Sequence, residues 1–196
     1  ENISEAPKGV EGELRPHPTP ERNTEKEPAE NHHRKTLTAG LFPIVGIGAS
    51  AGGLQALEDF FAAAPADSGL AYVVITHTDP EHKSLLPDLI KKKSKLPVKL
   101  IKDGMAAEPN TVYMPPSNRD PFMEQRVFHL KERPAKAQIH MPVDLFLKHL
   151  AEDLGELAAC VILSGTGTDG TQGLRLIKEK AGVTVAQDPD SARHAG

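Results

Sequence analysis

Ser50, His77 and Asp169 each stand where an apolar run stops. Ser50 follows Phe42-Pro43-Ile44-Val45-Gly46-Ile47-Gly48-Ala49, and His77 closes Leu70-Ala71-Tyr72-Val73-Val74-Ile75-Thr76. Asp169 follows Ala159-Cys160-Val161-Ile162-Leu163-Ser164-Gly165-Thr166-Gly167-Thr168. A hydroxyl, an imidazole to take its proton and a carboxylate to orient the imidazole are the parts of a nucleophilic acyl-transfer site. Taken singly, each residue has a plainer reading. The glycines around Ser50 equally suit a phosphate or dinucleotide loop, because a helix N-terminus behind a tight turn offers free N–H donors to a phosphate or to an oxyanion. A strand-terminal histidine is commonly a surface residue, and Asp169 suits a helix N-cap. The conjunction points to hydrolysis more strongly than any member.

These residues need strands to position them. Short β-branched runs read as strands buried on both faces, as in a parallel sheet, and ligands gather at the carboxyl ends of such strands. The expected fold is α/β: a doubly wound, mostly parallel sheet in a Rossmann-like three-layer arrangement, with a small hairpin excursion. Leu54, Leu57, Phe60 and Phe61 recur at helical spacing and predict a helix over 52–64. Ser84 suits the cap of a second helix carrying Leu85, Leu86, Leu89 and Ile90, which runs into a solvated lysine cluster. Val98 to Ile101 predicts a short strand, and Val112-Tyr113-Met114 with 126–130 predicts the hairpin. Pro142 suits the first turn of a helix bearing Val143, Phe146, Leu147, Leu150 and Leu154, stopped by Gly155. Val161 to Leu163, a helix over 171–181 and a strand over 183–186 complete the pattern. His82 and His140 compete with His77 as bases, but they fall in loop-like sequence.

Composition narrows the classes. The 196 residues are 38% hydrophobic and 26% charged with a net charge of -4, which suits a globular protein and gives no reason to expect nucleic acid. No apolar run approaches the roughly 18 residues of a membrane helix, so no membrane insertion is expected. No secretory signal is visible, and the lone Cys160 fits a small buried hydrophobe in a reducing, cytoplasmic setting. Residues 1–40 hold eight Glu and five Pro but only Ile3, Val10, Leu14 and Leu37 as large aliphatics. Such sequence buries too little to offset its ordering entropy, so 1–41 reads as a disordered tail or linker and 42–196 as one domain. His32-His33 falls in that tail without partners at ligand spacing. No metal and no cofactor are expected.

Gly46-Ile47-Gly48-Ala49-Ser50-Ala51-Gly52-Gly53, Thr76-His77 and Leu163-Ser164-Gly165-Thr166-Gly167-Thr168-Asp169-Gly170 resemble the three signature segments of the CheB protein-glutamate methylesterase domain. Pro80-Glu81-His82-Lys83-Ser84-Leu85-Leu86, Asp103-Gly104, Val112-Tyr113-Met114-Pro115-Pro116, His140-Met141-Pro142-Val143-Asp144 and Ala186-Gln187-Asp188-Pro189 resemble it too. The resemblance spans residues 43–196. It implies Ser50, His77 and Asp169 as the triad, with backbone N–H groups of Ala51 and Thr166 for the oxyanion. It implies a serine hydrolase that removes methyl esters from glutamate side chains of methyl-accepting chemoreceptor helices in chemotaxis-like signalling, and deamidates certain glutamines. The wording Ser-Gly-Thr-Gly-Thr-Asp-Gly most resembles esterase domains fused to a CheR-type methyltransferase module. Thr76 and Thr166 stand where many members carry Gln and Met. No receiver domain precedes residue 43, and the family continues past Gly196 through another helix and strand, so a truncated domain is expected. Two other readings remain: an inactive, receptor-docking relative, and a nucleotide-binding module. The second lacks a P-loop lysine and an acidic residue at the usual place after the second strand.

Overall fold

Six buried runs line up side by side because each has apolar groups on both faces to cover. In the computed structural model, which describes residues 40–50, 52–77, 84–133, 140–165 and 167–192, they form one sheet. The strands are β1 (Ile44–Ala49), β2 (Ala71–Thr76), β3 (Val98–Leu100), β5 (Thr111–Met114), β8 (Ala158–Ile162) and β9 (Val183–Ala186), in the order β3-β5-β2-β1-β8-β9. Every pairing among them is parallel. Central β1 is buried at all six of its positions, as a parallel strand covered on both faces must be.

Helices α1 (Gly53–Ala63) and α2 (Leu86–Lys93) cover one face, where Leu57, Phe61 and Ile90 pack with Val45, Ile47, Tyr72 and Val74. Helices α3 (Pro142–Leu154) and α4 (Thr171–Glu179) cover the other, where Phe146, Leu147, Leu150 and Ile177 meet Ile44, Val73, Ile75 and Tyr113. A doubly wound, three-layer sheet results. The helices start close to the predicted positions, and α3 ends at Gly155 as expected. Ser84 Oγ accepts the Leu86 N–H at 3.2 Å, just ahead of α2.

One expectation is corrected. Val112-Tyr113-Met114 does not belong to the hairpin; it lies in β5, parallel to β2 with Val73 opposite Tyr113. All four β5 positions are buried, and a run without a polar face is better satisfied between two strands than in a surface hairpin. The hairpin is β6 (Arg119–Glu124) with β7 (Val127–Glu132), and β4 (Met105–Ala106) adds a third antiparallel strand. Strand β6 hides from a pattern search because it carries Pro121 and three charged residues. It is an edge strand, where a missing N–H is tolerated. Among the described residues, no helix is long and apolar enough to cross a membrane.

Candidate active site

Ser50 is the first residue past β1, and the chain turns there under tight constraint. Gly52 is left-handed at φ 85°, and the Gly53 N–H donates to the Ser50 carbonyl at 3.0 Å, opening α1. The Ser50 N–H donates to the Ser164 carbonyl at 3.2 Å, tying this turn to the loop after β8. A methyl group on Gly165 would sit 2.9 Å from Ser50 Cβ, so a residue without a side chain lets that loop pass the serine. The glycines upstream serve another end. A Cβ at Gly46 would lie 2.5 Å from Leu147, and one at Gly48 2.6 Å from Val143. Both therefore seat α3 on the strand, which gives half of the apparent phosphate-loop spacing a packing cause.

His77 follows β2 directly. Its Nε2 lies 3.2 Å from Asp169 Oδ2, the imidazole 40% exposed and the carboxylate only 7%. With Nε2 turned to the carboxylate, Nδ1 is the ring nitrogen that a hydroxyl would have to reach. Asp169 does not stand at a strand end; it lies in the turn that opens α4, well past β8. Nor does it cap its own helix. Its Oδ2 accepts the Val143 N–H at 3.1 Å and its Oδ1 the Asp144 N–H at 2.9 Å, so it caps α3. Burial pushes the Asp169 carboxyl above its ordinary value, aided by the nearby charge of Asp144. The two backbone N–H bonds and the opposite charge on His77 pull the other way without cancelling it.

Ser50, His77 and Asp169 line one cavity of about 300 Å³, together with Gly165, Gln187 and the apolar side of Val143. Three segments remote in sequence thus meet at the carboxyl-end rim. Ala51 and Thr166, the expected oxyanion donors, lie outside the described residues, as do His82 and His32-His33. His140 does not line this cavity; its Nε2 is 2.8 Å from Asp120 Oδ2, and Arg133 Nε stands 3.4 Å from the other oxygen. Cys160 is fully buried, and burial pushes its thiol up to about 11. No group of three or more His, Cys, Asp or Glu among the described residues is arranged to hold a metal ion.

Sequence reasoning assigned no role to Gln187 or Asp144. Gln187 Oε1 accepts the Ser164 N–H at 2.8 Å and its own N–H donates to the Ile162 carbonyl at 2.8 Å, so it fastens the loop beside Ser50. Its place just past β9, one strand from β8, was the available signal.

The profile of the CheB methylesterase family matches residues 45–196. The chain belongs to the CheB methylesterase family. It is 32% identical over 152 residues to a protein-glutamate methylesterase/protein-glutamine glutaminase from Burkholderia orbicola, covering 77% of this chain and 45% of that protein. A namesake from Pseudomonas syringae pv. syringae is 30% identical over 150 residues, covering 76% of this chain and 45% of its own. The chain therefore spans less than half the length of these relatives. The crystal structure of the Thermotoga maritima CheB methylesterase catalytic domain superposes with a TM-score of 0.74 at 28% identity, covering 80% of this chain and 85% of that one. The CheB domain's parallel sheet and flanking helices are those described above.

Proposed function

We propose that Ser50, His77 and Asp169 act as nucleophile, general base and orienting carboxylate of a serine esterase that hydrolyses methyl esters of glutamate side chains on chemoreceptor helices. The His77–Asp169 contact at 3.2 Å, inside the cavity that Ser50 also lines, carries this reading. The relatives' printed activities supply the substrate class.

Ser50 Oγ attacks the ester carbonyl carbon while the free nitrogen of His77 takes the hydroxyl proton. Asp169 holds the imidazole in one tautomer and stabilises the imidazolium. The tetrahedral oxyanion forms beside the N-terminus of α1, whose dipole favours negative charge. Collapse expels methoxide, which leaves as methanol with the proton from His77. Water then gives a proton to His77 and attacks the acyl-enzyme, and Ser50 departs with that proton restored, leaving a glutamic acid that releases its remaining proton to solvent as it ionises. A primary amide follows the same route and loses ammonia, which accounts for glutamine deamidation. A cavity of about 300 Å³ has room for an esterified glutamate side chain.

On this reading 42–196 is the catalytic domain, 1–41 a tail or linker, and the compartment the cytoplasm, where receptor helices and any CheR-type methyltransferase module would meet it. Methanol release from a methylated chemoreceptor fragment tests the reading. Wild-type protein should release methanol, and Ser50→Ala should lose roughly 10³-fold or more of the rate. Equal rates in the two proteins would overturn it.

A further inference from the structure

Two helices pack directly against each other beside the candidate site, and neither carries a side-chain cap of its own: Met141 precedes α3 and Gly170 precedes α4. The caps are exchanged instead. Asp169, from the start of α4, accepts the Val143 and Asp144 N–H groups of α3 at 3.1 and 2.9 Å. Asp144, from the first turn of α3, accepts the Gly170 and Gly173 N–H groups of α4 with one oxygen, at 3.0 and 2.7 Å. Four N–H donors that would otherwise be orphaned at two helix ends are satisfied by two carboxylates, each serving the other's helix. The exchange requires close approach. Gly170 is left-handed at φ 105°, and a Cβ there would lie 2.8 Å from Ile162.

We propose that Asp144 is a positioning residue for Asp169, holding the α3 N-terminus and the Asp169 turn in the register that aims Oδ2 at His77; this rests on the Ser50–His77–Asp169 reading above. Asp169 Oδ1 is committed to the Asp144 N–H, which leaves Oδ2 to serve both the Val143 N–H and the imidazole. The direction of Oδ2 is therefore set by where the first turn of α3 stands. The Asp144 carboxylate fixes that turn by gripping α4 on either side of its first residues. A reacting geometry displaced by about 1 Å forfeits about 10²-fold in rate, so a cap that only adds stability elsewhere becomes a rate determinant here. Two charged groups bear on Asp169: His77 as the opposite charge and Asp144 as the like one.

Asp144→Ala and Asp144→Asn separate this role from a merely structural one. Alanine removes the acceptor; asparagine keeps an oxygen for the Gly170 and Gly173 N–H groups and removes the charge. In methanol release, Asp144→Ala should lose about 10- to 100-fold in kcat with KM nearly unchanged. Asp144→Asn should recover most of that loss. The carboxyl carbon of Asp169, titrated by NMR, should move to lower pH in Asp144→Asn, because one of the causes raising it is gone. Wild-type kcat in folded Asp144→Ala, or equal losses in both variants, would each overturn the proposal. If Asp144→Ala gives no cooperative urea transition, Asp144→Glu, which shifts the carboxylate by one methylene, replaces it: kcat should fall at nearly unchanged KM, and wild-type kcat there would overturn the proposal. Wild-type protein that releases no methanol would instead overturn the esterase reading, while the hydrogen-bonded His77 ring N–H proton, read by NMR, still judges Asp144: kept in Asp144→Asn and lost in Asp144→Ala it supports the positioning role, and unchanged in both it overturns it.

Discussion

At the scale of single residues, Asp169 carries the most opposed demands. It is nearly buried, yet it accepts two backbone N–H groups and faces an imidazole. Burial wins, and the carboxyl holds its proton to higher pH than an ordinary aspartate. The folded state thus binds that proton more tightly than the unfolded chain does. The resulting stabilisation is full below the unfolded carboxylate value of about 3.9 and is lost as pH rises through the raised folded value. Asp169→Asn cannot titrate, so its stability relative to wild type should increase with pH across that window. Urea midpoints for both proteins at several values from about pH 3 to pH 7 would measure the gap. Stability of Asp169→Asn relative to wild type that falls or stays constant as pH rises would contradict the assigned direction. The reading of Ser50, His77 and Asp169 from sequence rested on residue type and on where apolar runs stop. The three line one cavity, Asp169 from the turn before α4 rather than from a strand end. The positioning carboxylate Asp144 stayed hidden, because an acidic residue in a helix's first turn ordinarily answers its own helix dipole, and the partner helix lies across the fold.

At the scale of elements, the register of α3 against β1 and α4 is what places the carboxylate. Glycines set that register. A Cβ at Gly173 would lie 2.5 Å from Leu147 Cβ, an atom that no side-chain rotation can move aside. Gly173→Ala gains up to about 1 kcal/mol of helix propensity, and less than that in a first turn. Overpacking in a formed core costs about 1–3 kcal/mol. The second effect should win, leaving the variant less stable by on the order of 1 kcal/mol in urea unfolding; a variant as stable as wild type would contradict the packing account. Helices and central strands were legible because their periodicity and stop signals agree, as with Pro142 opening α3 and Gly155 ending it. Strand β6 was not legible, since Arg119, Asp120, Pro121 and Glu124 give no alternating pattern. Asp120 is nonetheless buried, matched by His140 and Arg133 from other segments, and no local window contains that compensation.

At the scale of the whole molecule, a parallel sheet delivers its loops to one rim, and two helical layers hold that rim rigid. Phe61 and Tyr72 anchor the α1 face edge-on at 5.7 Å, while Phe146 and Leu150 anchor the other, each fully buried. Ser50 depends on the first layer through α1, and Asp169 on the second through α3 and α4. The site exists only where both layers close on the sheet. On the proposed reading, the Ser50 hydroxyl is a nucleophile activated by His77. Reaction with a serine-directed phosphonate, followed by mass spectrometry of the digested protein, asks this without knowledge of the receptor. One phosphonyl adduct per chain on the Ser50 peptide, slowed by about 10²-fold or more in His77→Ala, is the predicted result. Folded protein left unlabelled at Ser50, or labelled equally fast without His77, would contradict the account.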